Sequence, residues 1–416
     1  MKCAKPMGIA AKIARAARLA GVLVALAGCT GPVPAQVPPA AQQEVEAYAN
    51  DRVHVGAERT DQYVPLLLGK RIAVVTNQTG MIGQTHLVDS LLSIGVDIVK
   101  VFAPEHGFRG EASAGEHVAD ERDQRTSLPL VSLYGKNKKP SPAQLADVDI
   151  LLFDIQDVGV RFYTYISTLH YVMEAAAEQG KQVLVLDRPN PNGFYVDGPM
   201  LDTAFRSFVG MDPVPLVHGL TMGEYARMAN GEGWLKGGVQ CKLTVIPCTG
   251  YDHSTFYELP VKPSPNLPNM AAVYLYPALG LFEGTIVSVG RGTDKPFQCI
   301  GFPECTLGDY AFTPLSTPGA LNPPYQGITC IGLDLSSYGD FYTRLDPGLN
   351  LEWLIGMYKA SPDKAKFFNP FFDKLAGNSS LRKAVVEGKS EEDIRASWRK
   401  ELNAFKDKRK AYLLYP

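Results

Sequence analysis

The chain has 416 residues, of which 45% are hydrophobic and 20% are charged, with a formal net charge of -2. This composition is typical of globular proteins, and the length is sufficient for two domains with sizeable cores. The near-neutral charge argues against nucleic acid as a partner, because nucleic-acid-binding proteins usually present a strongly basic face.

The first 28 residues have the pattern of an export signal. Basic residues precede the apolar run Leu19–Ala27, which is too short to span a bilayer. The sequence L-A-G-C at 26–29 looks like a lipobox, the bacterial motif in which the cysteine, here Cys29, becomes lipidated. A plain secretory signal followed by a chance cysteine is the alternative.

Residues 29–50 are predicted to form a lipid-anchored tether. They contain the Pro-, Ala- and Gln-rich stretch Gly31–Gln43, which is typical of an extended spacer. Thr30, rather than Asp, follows Cys29, which favours sorting to the outer membrane. We therefore expect a lipoprotein of the cell envelope that faces the periplasm, with the cell surface as an alternative, and that contacts the membrane only through its lipid.

The folded body begins with short apolar segments that alternate with amphipathic ones. Strands are predicted at 71–75, 97–103, 149–154 and 182–186. Helices are predicted at 85–94, from 141 and at 167–179. This alternation predicts an α/β fold with a Rossmann-like, doubly wound, mostly parallel sheet that has helices on both faces.

The pattern changes after Phe194, so we place a Rossmann-like N-terminal domain at 51–215 and a smaller α+β domain at 216–416. In the second part, Thr221 and Glu224 fit a capping box at the start of a helix. Further strands are predicted at 242–246 and 328–335, and helices at 341–359 and from Ser390. The crevice between the two domains is the expected site.

Polar side chains follow each of the four predicted strands. Because the carboxyl ends of parallel strands meet at one edge of a sheet, these side chains are expected to share a site. Turns alone favour Asp and Asn, but they do not explain the amides and arginines that accompany them. The residues concerned are Thr76, Asn77, Gln78, Glu105, His106, Asp154, Gln156, Asp157, Asp187, Arg188 and Asn190.

Several common catalytic motifs are absent: G-x-G-x-x-G after a strand, a complete P-loop, G-x-S-x-G and H-E-x-x-H. Carboxylate chemistry remains, and hydrolysis of a glycosidic bond needs two carboxyl groups. Glu105, which follows an apolar strand and Pro104, is the best candidate. Glu224 is the candidate partner, although it could equally cap its helix, and Glu283, near Arg291, is the next.

Five motifs are long or consecutive: F-A-P-E-H-G-F-R-G from Phe102, A-G-E ending at Glu116, F-D-I-Q-D-V-G-V-R-F-Y-T-Y from Phe153, L-D-R-P-N-P from Leu186 and G-R-G-T from Gly290. Together they resemble the exo-β-N-acetylmuramidase (NamZ-type) family. The resemblance covers roughly residues 55–416 and implies a Rossmann-like domain, a smaller α/β domain and a glutamate pair in the cleft, without metal or cofactor. It also implies the release of terminal N-acetylmuramic acid from the non-reducing ends of peptidoglycan fragments, in cell-wall recycling.

The family's glutamate motif falls on Glu105. The substrate's lactyl carboxylate could be bound by a planar guanidinium through two hydrogen bonds, and each candidate arginine could instead form a structural ion pair. Tyr163, with Phe162 and Tyr165, could present a face for sugar stacking or pack in the core. The predicted substrate-binding residues are His106, Arg109, Glu116, Asp154, Gln156, Asp157, Arg161, Tyr163, Asp187, Arg188, Asn190, Glu283 and Arg291.

Two other functions are compatible with the same residues. One is a lipid-anchored protein that binds peptidoglycan or sugar without catalysis, which would need the crevice but no carboxylate pair. The other is a metal-dependent hydrolase that uses His106, Asp154, Asp157 and Asp187. We expect the glycosidase, and whether it inverts or retains configuration depends on the separation of its two carboxyl groups.

Five cysteines follow the predicted signal and tether. Cys241 and Cys248 flank a predicted strand and would lie roughly 20 Å apart, too far for a disulfide. Cys299 and Cys305 flank a turn-like stretch and could close a loop. The odd number predicts at least one free thiol.

Overall fold

The computed structural model describes residues 53–105, 107–109 and 121–416, without the side chains of Glu121, Tyr342 and Arg344. The predictions that lie outside the described residues are the signal peptide, the tether and the roles of Cys29, His106 and Glu116.

The described strands are short, each two to six residues long. They are β1 Ile72–Thr76, β2 Met81–Ile82, β3 Thr85–His86, β4 Ile98–Ala103, β5 Glu121–Arg122, β6 Pro129–Ser132, β7 Ile150–Asp154, β8 Gln182–Leu186, β9 Asp197–Met200, β10 Pro215–Val217, β11 Lys242–Ile246, β12 Cys299–Phe302, β13 Tyr310–Phe312 and β14 Cys330–Asp334.

The described helices connect or cover these strands. They are α1 Thr60–Leu67, α2 Leu87–Ser93, α3 Pro142–Leu145, α4 Tyr165–Glu178, α5 Met222–Gly231, α6 Met270–Leu279, α7 Ser336–Leu345, α8 Glu352–Ala360, α9 Phe372–Ala376, α10 Ser380–Val386 and α11 Glu391–Arg409.

A seven-stranded sheet with the order β11-β8-β7-β1-β4-β6-β5 organises the fold. Neighbouring strands are parallel from β11 to β6, and β5 pairs antiparallel with β6 at the edge. β1 and β7 are buried along their whole length, which explains why they read as continuous apolar runs rather than as alternating patterns. The predicted Rossmann-like α/β fold is confirmed.

The sheet separates two hydrophobic cores. Ala73 and Val75 of β1 pack in one core, while Ile72 and Val74 pack in the other. The same alternation occurs along β7, because successive side chains of a strand point to opposite faces. Helix α4, with buried Tyr165 and Leu169, belongs to the first core.

Local signals explain several helix boundaries. The capping box at the start of α5 is confirmed, since the Thr221 hydroxyl accepts from the Glu224 backbone N–H and the Glu224 side chain accepts from the Thr221 N–H. Ser390 caps α11 through one such hydrogen bond, in which its hydroxyl accepts from the Asp393 backbone N–H. The helix predicted at 341–359 is instead two helices, α7 and α8, separated by a segment that contains Pro347 and Gly348.

The C-terminal part contains a smaller antiparallel sheet with the order β12-β14-β13. β11, which lies beyond the predicted domain boundary at 215, is an edge strand of the large sheet. The chain's last residues also return to the large sheet, where Tyr415 is buried. The first sheet is therefore completed by segments from later in the chain.

The five cysteines of the folded body are all buried free thiols. The loop closure considered for Cys299 and Cys305 is therefore not present in this structure. In the ranges that the structure describes, we find no helix with the length and apolar character needed to cross a membrane.

Candidate active site

A cavity of about 910 Å³ opens between the ends of the large sheet and the C-terminal part of the chain. Glu105 enters it from the end of β4, Tyr134 and Lys138 from the loop after β6, and Glu283 and Arg291 from the segment after α6. Its volume is in the range of pockets that bind small organic ligands. The cavity thus brings together residues from both parts of the chain.

Two hydroxyl groups hold the half-buried carboxylate of Glu105. The Thr164 hydroxyl donates to its Oε2 at 3.1 Å, and the Tyr134 hydroxyl donates a second hydrogen bond. Burial and the charge of Glu105 raise the pKa of Tyr134, so this phenol keeps its proton and remains a donor. The two donors fix the orientation of Glu105 at the cavity wall.

Glu283 and Arg291 form an ion pair on another wall. Arg291 donates to Glu283 Oε1 from Nε at 2.9 Å and approaches the same oxygen with Nη2 at 2.8 Å. The guanidinium also lies 4.9 Å from the centre of the Phe297 ring. Burial opposes its charge, but the carboxylates of Glu283 and Glu105 are among the groups that outweigh burial and raise the pKa of Arg291. One arginine thus interacts with both acids of the cavity.

The turn that carries Arg291 requires its glycines. Gly290 and Gly292 have φ angles of 74° and 80°, in the left-handed region that side chains disfavour. A Cβ atom added at Gly292 would lie 2.3 Å from the Leu315 carbonyl oxygen. The G-R-G-T motif therefore positions its arginine by backbone geometry.

Tyrosines form the floor of the cavity. Tyr163 contacts Tyr165 and Tyr276 edge to face, with ring centres 4.8 and 5.7 Å apart. The Tyr163 hydroxyl donates to the Pro263 carbonyl at 2.8 Å, and the Tyr165 hydroxyl accepts from the Asn77 amide at 2.9 Å. Tyr163 thus lines the cavity, where it is packed and only 8% exposed.

Glu224 lies outside the cavity, which corrects its predicted role as the second catalytic carboxylate. It is fully buried and accepts hydrogen bonds from the backbone N–H groups of Thr221 at 3.0 Å and Leu414 at 2.9 Å. His253 Nε2 lies 3.0 Å from the second carboxylate oxygen of Glu224, Oε1. Its carboxylate is used to cap α5 and to hold the C-terminal segment.

The carboxylates at the ends of β7 and β8 are also bound internally. Arg188 donates to Asp154 Oδ1 at 2.6 Å and to Oδ2 at 2.9 Å in a buried bidentate pair. Asp187 accepts from the hydroxyls of Thr221 and Tyr415, each at 2.7 Å. Burial raises the pKa of Asp187 to about 6. The structure does not place Asp154, Asp187 or Arg188 in the cavity.

Arg161 and Arg109 also lie outside the cavity. Arg161 is fully buried and donates to three carbonyl oxygens, those of Pro199, Val214 and Leu375, and burial lowers its pKa to about 9. Arg109 binds Asp123 at 3.0 Å and lies over the Phe108 ring. Of the four candidate arginines, the structure brings Arg291 to the cavity.

Three further predicted polar residues form hydrogen bonds that hold the loops beneath the site. Gln156 donates to the carbonyls of Asp157 and Pro189 at 2.8 and 2.7 Å, and Asn190 donates to the Leu220 carbonyl at 2.9 Å. Asp157 accepts from the Gly159 N–H at 2.6 Å. Burial raises the pKa of Asp157 to about 7. These contacts shape the loops, and none of the three residues lines the cavity.

Sequence reasoning missed Tyr134, Lys138, Phe208 and Lys374, all of which line the cavity. Tyr134 and Lys138 follow β6, a short strand that was not predicted. The apolar segment P-L-V-S before L-Y-G was the available signal, because it resembles a buried edge strand that ends in a loop.

The aspartates suggested as metal ligands have separate partners. Asp154 binds Arg188, Asp157 binds the Gly159 N–H, and Asp187 binds Thr221 and Tyr415. Within the described ranges, no three His, Cys, Asp or Glu side chains are grouped as ligands for one metal ion.

Comparisons with known proteins agree with this architecture. Two solved DUF1343 family proteins from Bacteroides fragilis have similar structures. One is 49% identical with a TM-score of 0.82 and covers 87% of this chain and 99% of its own. The other is 30% identical with a TM-score of 0.71 and covers 88% of this chain and 99% of its own.

A curated relative from Bacillus subtilis, peptidoglycan β-N-acetylmuramidase NamZ, is 41% identical over 380 residues. The matched region is 85% of this chain and 89% of the relative. Residues 72–271 match the N-terminal family model of exo-β-N-acetylmuramidase NamZ, and residues 274–415 match the C-terminal one. The chain therefore belongs to the exo-β-N-acetylmuramidase NamZ family.

Proposed function

We propose that the chain is an exo-acting glycosidase that releases terminal N-acetylmuramic acid from the non-reducing ends of peptidoglycan fragments. The Bacillus subtilis relative is named for β-N-acetylmuramidase activity on peptidoglycan, and the family matches extend over both halves of this chain. The observation that carries the proposal is the cavity in which Glu105 is held by Tyr134 and Thr164.

Glu105 and Glu283 supply the two carboxyl groups in this proposal. Both line the same cavity, and glycoside hydrolysis uses one carboxyl to protonate the leaving oxygen and another to attack carbon or activate water. Arg291 interacts with both groups, which offsets the repulsion of two acids in one cavity. Glu283, the third candidate in the sequence, replaces Glu224 because it is the one that reaches the cavity.

The test uses 4-nitrophenyl β-N-acetylmuramide as the substrate. Wild-type protein should release nitrophenol and free N-acetylmuramic acid, measured by absorbance and chromatography. Saturable binding of the glycoside without release, at every pH tested, would support the non-catalytic sugar-binding protein instead. The proposed chemistry uses no metal, so activity that a chelator abolishes and a divalent cation restores would favour the metal-dependent hydrolase.

We also propose that the protein acts in cell-wall recycling as a lipoprotein of the outer membrane facing the periplasm. The support is the L-A-G-C motif at 26–29, the basic segment before it and the Pro-rich stretch after it. A Cys29→Ser variant should leave the membrane fraction, while a Cys305→Ser variant should stay in it. Membrane association that survives Cys29→Ser would overturn the anchor.

A further inference from the structure

The cations of the cavity differ in whether a protein carboxylate already binds them. The basic residues among its described lining are Lys138, Arg291 and Lys374. Arg291 is bound to Glu283. In the described part of the chain, neither lysine has a carboxylate within 4.0 Å of its amine. The two lysines are therefore the cations that can meet an anionic ligand.

Lys138 is held in place, whereas Lys374 is exposed at the rim. The Lys138 amine lies 4.5 Å from the centre of the Phe208 ring, within the range of a cation–π contact. Phe208 in turn stacks on Tyr171, with ring centres 6.2 Å apart and planes inclined by 13°. An ammonium group is thus presented on an aromatic surface that also lines the cavity.

The two other lysines of the K-N-K-K segment at 136–139 do not line the cavity. Lys139 is bound to Glu174 at 2.6 Å and to Glu178 at 2.7 Å. Lys136 is exposed and does not line the cavity. The fold therefore directs one charge of this run, that of Lys138, to the cavity.

We propose that Lys138 is a specificity-determining residue that binds the carboxylate of the substrate's lactyl group, while Phe208 contacts the lactyl methyl. This inference rests on the proposed function. The lactyl group carries a methyl and a carboxylate on the same carbon, and Phe208 and Lys138 offer a partner for each. N-acetylglucosamine lacks this group, so the pair contacts the part of the sugar that distinguishes the two.

The experiment compares the 4-nitrophenyl β-glycosides of N-acetylmuramic acid and N-acetylglucosamine in the full-length protein. Lys138→Met should lower kcat/KM for the muramide by about 10–100-fold, mainly through KM, because a hydrogen bond between charged groups is lost. The glucosaminide should change by less than about threefold. Lys138→Arg should recover most of the muramide activity, and Lys136→Met, the matched control, should behave as wild type.

Equal losses for both glycosides after Lys138→Met would overturn the inference. It would also be overturned if Lys374→Met, rather than Lys138→Met, removed the selectivity. If Lys138→Met does not fold, as judged by circular dichroism, Lys138→Gln takes its place in the same comparison.

Calorimetric binding of free N-acetylmuramic acid separates this inference from the proposed function. If wild-type protein binds N-acetylmuramic acid through Lys138 but hydrolyses no muramide, the proposed function fails and the inference stands. If wild-type protein hydrolyses the muramide and Lys138→Met keeps both its binding and its selectivity, the inference fails alone.

Discussion

The Tyr415 hydroxyl donates to Asp187 Oδ2 at 2.7 Å, which joins the end of the chain to the end of β8. The same phenol oxygen accepts from the Cys248 N–H at 2.8 Å, and the Leu414 N–H donates to Glu224. The C-terminal segment thus closes the part of the sheet edge near β8 and β11. The cavity opens at the ends of β4 and β6, on the other side of β7 and β1 in the sheet.

Tyr415→Phe is therefore expected to lower stability and to spare catalysis. The change leaves the buried Asp187 without one donor and the Cys248 N–H without its acceptor, which costs about 1–3 kcal/mol. Urea unfolding should show the lower free energy of unfolding, and kcat on the muramide should stay near wild type. A large drop in kcat with unchanged stability would contradict the view that the C-terminal segment stabilises the edge near β8 and β11 and takes no part in the cavity.

Glu105→Gln should abolish most activity and leave the fold intact. Gln keeps the size of the side chain but cannot transfer a proton or act as an anion, and such catalysis contributes about 10²–10⁴-fold. Steady-state kinetics with the chromogenic muramide measures the loss, and circular dichroism checks the fold. The matched control is Glu224→Gln, which should retain kcat because Glu224 lies outside the cavity. Near-wild-type turnover by Glu105→Gln would rule out its catalytic role.

Arg161→Met should destabilise the protein regardless of which sugar is used. The substitution removes the donor for three carbonyl oxygens, and each buried acceptor left unsatisfied costs about 1–3 kcal/mol. We expect a clearly lower melting temperature, and no selective loss of muramide over glucosaminide activity in protein that remains folded. A stable variant with selective loss for the muramide would restore the predicted role in lactyl binding.

Asp157 should make stability depend on pH. Its pKa is near 3.8 when unfolded and is raised to about 7 in the folded protein, so the native state binds more protons between these values. Its contribution to stability is complete below pH 3.8 and is lost as the pH rises through 7. The side chain in Asp157→Asn cannot titrate. Between pH 5 and 8, the free energy of unfolding should therefore fall by about 1 kcal/mol or more further in wild type than in the variant. Parallel curves for the two proteins would contradict the buried protonated carboxyl.

Patterns along the chain determined the fold class and part of the site. The strands β1, β4, β7 and β8 were predictable because parallel strands buried on both faces are apolar throughout. The capping box of α5 was predictable because its two hydrogen bonds join residues three positions apart. Glu105 and Arg291 were found because they lie in recognisable motifs after a strand and between two glycines.

Tertiary structure alone decided which polar strand ends face the cavity and which are bound inside the protein. The sequence predicted Glu224 and Asp187 as site residues, but their hydrogen-bond partners include Leu414 and Tyr415, about 190 and 228 residues away along the chain. The sequence around Lys138 did not mark it as a site residue, because its proposed role depends on contact with the Phe208 ring, which comes from another loop. Local patterns specify secondary structure, whereas the partner of a buried charge is set by contacts between distant segments, which one sequence does not reveal.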